Sequence, residues 1–282
     1  MPGKILVTGA TGNVGSEIVK LLAERKADFI AAGSSRSIDS HDSVSIDFAD
    51  IKTLETAMQG VSTLFMVLAN HPDMIIWGKN LIDTAKKCGV KHIVRSAGSL
   101  ADLDSSINVR NVIAQTDHYL KESGIDYTIT APNYFMQNFI NFHADDYKNG
   151  TLYLPAGDGR VAWVDVRDIA SVNVEILLNP EKYRNRTLVI TGAKALSYAE
   201  AVNVMNDVLG KDVTYVAVSD EDAIKAMTEN EFPRFVIDRM IELNLCIREG
   251  LAKETTTTVK DVTGKNAISF GQFVKDNKGA WL

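Results

Sequence analysis

The sequence predicts an α/β fold in which a doubly wound parallel sheet is followed by a smaller, mainly helical C-terminal lobe. Three observations lead there. From residue 4 to about 131, short apolar runs alternate with amphipathic stretches, the rhythm of repeated βα units. A glycine-rich turn, GATGNVG at residues 9–15, ends the first apolar run and opens the first amphipathic stretch. After Pro132 the alternation stops and helix-period segments dominate.

The strands of the first half fall at Ile5–Thr8, Phe29–Ala32, Val44–Ile46, Leu64–Leu68, His92–Arg95 and Tyr127–Thr130. Between the first two, Val14, Ile18, Val19, Leu21 and Leu22 recur at helical spacing, with Glu17, Lys20, Glu24 and Arg25 on the wet face. Helices over Ile75–Cys88 and Asn111–Ser123 stop at Gly89 and Gly124, residues suited to a left-handed cap. Beyond Pro132 come an aromatic loop, NYFMQNFINFH, and a hairpin around Ala156, Gly157, Asp158 and Gly159. Helices follow over Val166–Leu178, Tyr198–Leu209, Glu221–Met227 and Phe232–Arg248, with strands near Thr187–Ile190 and Val213–Val216. The expected division is therefore 1–132 and 133–282. No Gly/Ser- or Pro-rich linker separates the halves, so the lobe is expected to pack closely on the sheet.

Composition narrows the function classes. With 45% hydrophobic and 23% charged residues over 282 positions, the chain can bury a core and is not disordered along most of its length. A net charge of −6 argues against direct contact with nucleic acid. Cys88 and Cys246 form neither a CxxC pair nor a disulfide framework. The amino end lacks a signal-peptide core, and no run reaches the roughly 18 apolar residues a span needs. A cytoplasmic protein without membrane contact is expected. The five histidines show no HExxH or paired spacing, so no metal site is expected, and nothing in the sequence fixes the oligomeric state.

The glycine motif points to a dinucleotide. Gly9 permits the tight turn, Gly12 lets backbone amides approach a pyrophosphate, and Gly15 lets helix and strand pack closely. With Thr11, Asn13 and Val14 completing the loop, phosphates would face a helix N-terminus, whose free N–H groups and dipole favour negative charge. This is the arrangement of a Rossmann sheet.

The spacing is GxxGxxG, and TGATGNVG resembles the cofactor motif of extended and atypical short-chain dehydrogenase/reductases. Three further blocks, VKHIVRSAG (90–98), KESGIDYTITAPNYFMQN (121–138) and VAWVDVRDIA (161–170), narrow the resemblance to the NmrA-like group. That group includes NADPH-dependent quinone, azo-dye and triphenylmethane reductases as well as redox-sensing regulators. The resemblance places Ser96, Ala97 and Gly98 beside the nicotinamide, where the Ser96 hydroxyl could hold the carboxamide or an acceptor oxygen; as a turn or cap serine it would do neither. It likewise sets Asp47 and Phe48 beside the adenine, the carboxylate accepting from the exocyclic amine and the Phe48 N–H meeting a ring nitrogen. Asp50 reads as a helix N-cap instead. Leu68, Ala69 and Asn70 end the fourth strand at the carboxyl edge, where open α/β sheets bind ligands.

NAD-selective sites end the second strand with an acid roughly 20 residues after the glycines. Here the chain reads Ala32, Gly33, Ser34, Ser35, Arg36: two hydroxyls and a guanidinium, suited to a 2′-phosphate. NADP(H) is therefore preferred; Asp39 and Asp42 temper that preference, and NAD(H) use stays open.

The usual Ser-Tyr-Lys chemistry is missing, because none of the eight tyrosines has a lysine four residues on. Hydride transfer to a conjugated quinone or azo compound needs no such acid, since the acceptor spreads the developing charge. Ser96, Asn133 and Tyr134 are the candidates near the nicotinamide. Tyr134, Phe135, Phe139 and Trp163 are the candidates to meet a flat acceptor, although the same aromatic run could simply pack the lobe on the sheet. His118 reads as exposed, Asp117 as scaffolding, and Asp165 with Asp168 as a helix-capping pair. The function expected is an NAD(P)H-dependent reductase of a small conjugated acceptor. The alternative is an NADP-binding redox-sensing regulator without turnover, and an isoflavone-reductase-like role lacks the helix lysine it would need between Asn111 and Tyr119.

Overall fold

The computed structural model describes residues 3–33 and 42–282. In chain order the elements are β1 (Lys4–Val7), α1 (Asn13–Glu24), β2 (Phe29–Gly33), β3 (Ser43–Ser45), α2 (Ile51–Ala57), β4 (Val61–Val67), α3 (Met74–Lys87), β5 (His92–Ser96), α4 (Asn108–Glu122) and β6 (Asp126–Pro132). Then follow α5 (Asn138–Asn141), α6 (Ala144–Lys148), β7 (Thr151–Leu154), β8 (Arg160–Val161), α7 (Val166–Leu178), β9 (Arg186–Ile190), β10 (Leu196–Ser197), α8 (Tyr198–Leu209) and β11 (Thr214–Ala217). Four helices close the chain: α9 (Asp220–Glu229), α10 (Arg234–Arg248), α11 (Thr258–Thr263) and α12 (Phe270–Asp276).

The main sheet is parallel, with strand order β3-β2-β1-β4-β5-β6-β9. The order reverses between β1 and β4, which opens a crevice at their carboxyl ends, the usual ligand position in this Rossmann topology. One buried hydroxyl ties its walls together. Thr8 donates to Phe65 O at 3.0 Å and accepts from Val67 N at 3.0 Å. Buried residues of α1 and α7, among them Ile18, Leu22, Ile169 and Val172, cover one face of the sheet. On the other, α2, α3 and α4 bring Leu54, Leu81, Ile82 and Leu120. Gly89 (φ +78°) and Gly124 (φ +80°) take the left-handed conformation their positions after α3 and α4 suggest.

Both α7 and β9 come from beyond residue 132, yet they complete the first layer. β9 pairs with β6 in register Thr128 to Arg186 through Pro132 to Ile190. Helix α11 joins α7 and β9, with Val259 buried in the core that α1 and α7 share, while most of the other elements form a lobe around an aromatic core of Phe139, Tyr147, Trp163, Tyr198, Phe273 and Trp281.

The hairpin expected around Ala156–Gly159 does not form. β7 pairs in parallel with β11, and β8 pairs antiparallel with β10, so the two flanks of the turn are drawn to separate partners. Its glycines serve the turn and a close approach: Gly157 has φ +53°, and a Cβ on Gly159 would lie 2.3 Å from Ile247 O. Among the described residues no helix is long and apolar enough to cross a membrane.

Candidate cofactor and acceptor site

The loop after β1 is shaped by its glycines. Gly9 has φ +62°, and a Cβ there would lie 2.5 Å from Val67 Cγ1 across the crevice. Gly15 lets α1 begin against that turn, since a Cβ on it would lie 2.0 Å from Gly9 O. Gly12 donates to Gly9 O at 2.9 Å; a Cβ there would meet that oxygen at 3.3 Å and no other atom within 4 Å, so its outer side is open. Thr11, Gly12 and Asn13 are exposed, with Val14 and Gly15 buried beneath them.

Helix α1 leaves its own start unsatisfied. No side chain caps it and no acidic residue stands in its first turn. The amides of Asn13, Val14 and Gly15 therefore lack intrahelical acceptors at the positive end of the dipole. Paired phosphates fit this donor set and the open side of Gly12.

Along the crevice toward β3, Asp47 and Phe48 follow in sequence. Asp47 is exposed, and its Oδ1 accepts from Ala49 N at 2.9 Å, so this carboxylate already shapes its own turn. Phe48 O accepts from Asn80 Nδ2 at 2.9 Å, while the Phe48 N–H has no acceptor among the described residues. The Phe48 ring meets Trp77 edge-on at 5.8 Å, and Trp77 stacks on His71 at 4.1 Å. The sequence reading missed this aromatic run; its signal was Trp77, an indole placed one turn into the helix after the fourth strand. Asp50 caps α2 by accepting from Lys52 N at 2.9 Å. Leu68 reaches Gly78 of α3, with Ala69 and Asn70 exposed beyond it. Ser34, Ser35 and Arg36 lie outside the described residues.

At the end of β5, Ser96 is buried, and its hydroxyl makes no hydrogen bond to the described residues. Ala97 N donates to Thr130 O at 2.8 Å and Ser99 N to Pro132 O at 3.0 Å, holding the Ser96–Ala97–Gly98 turn against β6. Gly98 passes close to α4, where a Cβ would lie 3.3 Å from Ile113 Cδ1.

The neighbouring candidates divide. Asn133 is buried and structurally committed: its Nδ2 donates to Ala252 O at 2.8 Å and its Oδ1 accepts from Tyr134 N at 2.9 Å. Tyr134 is half-buried and donates to Leu243 O at 2.7 Å. Burial pushes its phenol far up, so it is a poor proton donor. Phe135 is half-buried beside α7, bridged to Val164.

The structure places Phe139 and Trp163 in the core of the lobe. They are 1% and 2% exposed, packed edge to face at 5.1 Å with Tyr198 and Phe270 around them. Their rings fill the core of the lobe, where burying a large apolar side chain is worth about 1.5–3 kcal/mol. His118 is exposed. Asp165 caps α7 through Arg167 N at 2.9 Å, and Asp168 accepts from Ile268 N at 2.7 Å.

A second feature missed in the sequence lies under the Ser96 turn. Arg95 Nε and Asp117 Oδ1 are 3.3 Å apart, buried between β5 and α4, and Arg95 Nη1 donates to Ser96 O at 2.8 Å. Burial pushes the Asp117 carboxyl up, and the guanidinium opposes that shift. A cavity of about 580 Å³ lies at the opposite, amino edge of the sheet between Ser62, His92 and Pro180, and contains none of these residues.

The model of the NmrA-like family matches residues 1–263. An NAD(P)H azoreductase from Xenophilus azovorans is 35% identical over 283 residues, covering 98% of this chain and 99% of that protein. Among solved structures, the NADPH complex of the Escherichia coli NADPH-dependent quinone oxidoreductase QOR2 superposes with a TM-score of 0.88 at 21% identity, covering 96% of this chain and 99% of that one. The NADP(H) complex of the triphenylmethane reductase from Citrobacter sp. gives 0.86 at 23% identity, with the same two coverages.

Proposed function

This chain belongs to the NmrA-like family, and from that premise we propose that it is an NAD(P)H-dependent reductase, preferring NADPH, that acts on a small conjugated acceptor such as a quinone or azo compound. The observation that carries the reading is the uncapped start of α1 above the open side of Gly12, a donor set built for paired phosphates. The 35% identity to an NAD(P)H azoreductase along nearly the whole chain supports it.

Gly9, Thr11, Gly12, Asn13, Val14 and Gly15 would hold the pyrophosphate. Phe48 N–H, Leu68, Ala69 and Asn70 would line the adenine half, with Ser34, Ser35 and Arg36 at the ribose. Ser96, Ala97 and Gly98 would border the nicotinamide. When bound, the reduced cofactor supplies the hydride; with one proton from water this converts a quinone to a hydroquinone. The protein's part is positioning. Tyr134 keeps its proton for Leu243 O, and the Asn133 amide is engaged through both its nitrogen and its oxygen, so neither is assigned as an acid. Tyr134 and Phe135 instead offer ring surface beside the Ser96 turn.

The test is direct. Purified protein is titrated with NADPH and NADH by fluorescence, then NADPH consumption is followed with a panel of quinones and azo dyes. Binding with turnover of at least one acceptor is the expected result; binding with no turnover across the panel would favour a sensor over an enzyme.

A further inference from the structure

The cavity at the amino edge of the sheet lies at the far end of β4 and β5 from the cofactor crevice. His92 opens β5 there, and Lys91 N donates to Ser62 O of β4 at 2.8 Å, joining the two strands at its floor. The end of α7 and the turn after it, from Leu178 to Lys182, form the facing wall. A volume of about 580 Å³ suits a small organic molecule.

The hydrogens on this floor are already spent. Thr128 donates to Tyr183 O at 2.9 Å, and a hydroxyl has one hydrogen only, so toward His92 Nε2, also at 2.9 Å, it accepts. Nε2 therefore carries the ring proton. Burial lowers the His92 pKa below the usual histidine value, against the opposing pull of Asp126 and Glu181, and so favours the neutral ring. Nδ1 is then a bare lone pair. It has no partner among the described residues, on a side chain that lines the cavity in a residue only 3% exposed. Ser62 Oγ donates to Lys4 O at 3.2 Å, which leaves it an acceptor as well. Leu178 O, at the negative end of the α7 dipole, receives no hydrogen bond among the described residues.

These groups call for a ligand that brings hydrogens, and charge decides which kind. An anion would meet the lone pairs and the negative helix end. An ammonium would meet Lys91 and Lys182, which outnumber Glu181 at the rim, where that carboxylate already faces Arg184 at 3.7 Å. A hydroxyl carries a hydrogen without a charge. Leu178 and Pro180 add an apolar wall for the C–H face of a ring.

We propose that this cavity is a binding site for a small neutral polyhydroxylated molecule, one hydroxyl donating to His92 Nδ1 and another to Ser62 Oγ. The site is separate from the cofactor crevice, and the proposal does not depend on the reductase reading.

The test follows the imidazole itself. Full-length protein labelled with nitrogen-15 is titrated with myo-inositol and with tetrahydropyran, a ring of similar size that has no hydrogen to donate. The free protein should show Nε2 protonated and Nδ1 bare, and myo-inositol should bind saturably and shift the Nδ1 resonance, whereas tetrahydropyran should not. His92→Phe should weaken myo-inositol about tenfold or more, the loss expected for one buried hydrogen bond, and Ser62→Ala should weaken it by a smaller factor. NADPH affinity should be unchanged in both variants. A wild-type protein that binds neither probe, or both alike, overturns the proposal. So does myo-inositol binding that leaves Nδ1 unmoved, or a free ring whose proton sits on Nδ1. The wild-type titration decides even where His92→Phe fails to fold.

Discussion

Arg95 and Asp117 meet 3.3 Å apart with side chains only 3% and 9% exposed, an ion pair without hydrogen-bond alignment locked beneath the turn that carries Ser96. Such a pair contributes little net stability, but each member makes the other tolerable. Removing one leaves a buried charge alone. Asp117→Ala should therefore destabilise the fold by about 3–5 kcal/mol, while Arg95→Met with Asp117→Leu should recover most of the loss. Urea unfolding of the single and double variants decides it; a double variant no more stable than the single would mean that the pair is not the cause.

The glycines of the first loop should separate binding from folding. At Gly12 a side chain projects into open space, so Gly12→Val should leave a folded protein by circular dichroism and abolish NADPH binding. At Gly15 the same test inverts. A Cβ 2.0 Å from Gly9 O must displace backbone, so Gly15→Ala should cost about 1–3 kcal/mol of stability in thermal unfolding. If Gly12→Val binds NADPH normally, the pyrophosphate lies elsewhere.

Helices of both the sheet layer and the lobe were legible where local signals and tertiary structure agree. Val166–Leu178 and Tyr198–Leu209 fall where the pattern puts them, since Asp165 caps one, and Ser197, Glu200 and Gly210 (φ +66°) bound the other. The hairpin was not legible, because the partners of β7 and β8 lie far along the chain and no local residue names them. Phe139 and Trp163 stayed ambiguous in sequence because a ring facing a ligand and a ring facing a core have the same composition. What decides is placement, and here Gly192 passes so near the Trp163 carbonyl that a Cβ would lie 1.9 Å from it, fixing that segment inside the lobe. The Arg95–Asp117 pair did leave a trace. An arginine follows the apolar pair Ile93 and Val94 in the fully buried strand HIVRS, and Asp117 falls on the helical stripe of Val109 and Ile113.

The proposed preference for NADPH rests on Arg36, assigned from sequence alone. If its guanidinium meets the 2′-phosphate, Arg36→Ala should weaken NADPH by about tenfold or more and leave NADH nearly unchanged, because only NADPH carries that charge. Fluorescence titration with both nucleotides measures the ratio. Equal weakening would remove the residue from the ribose site.

The lobe should also carry a pH signature at His143. The ring is 7% exposed, ringed by Phe139, Phe142 and Tyr198, and burial alone holds its pKa down to about 4 from 6.5. Because the unfolded chain binds a proton that the native state refuses, the contribution is fully present above about 6.5 and is lost as the pH falls toward 4. Asp168, which burial raises to about 6, works in the opposite sense: its share declines as the pH rises from 3.8 to 6. The difference between wild type and a single variant isolates one group from the other. Unfolding free energies of wild type and His143→Phe, measured at steps between these limits, should diverge by up to about 3 kcal/mol, the wild type losing more as the solution is acidified. Parallel curves would show that His143 already titrates normally in the folded protein, and that water reaches it within the aromatic cluster.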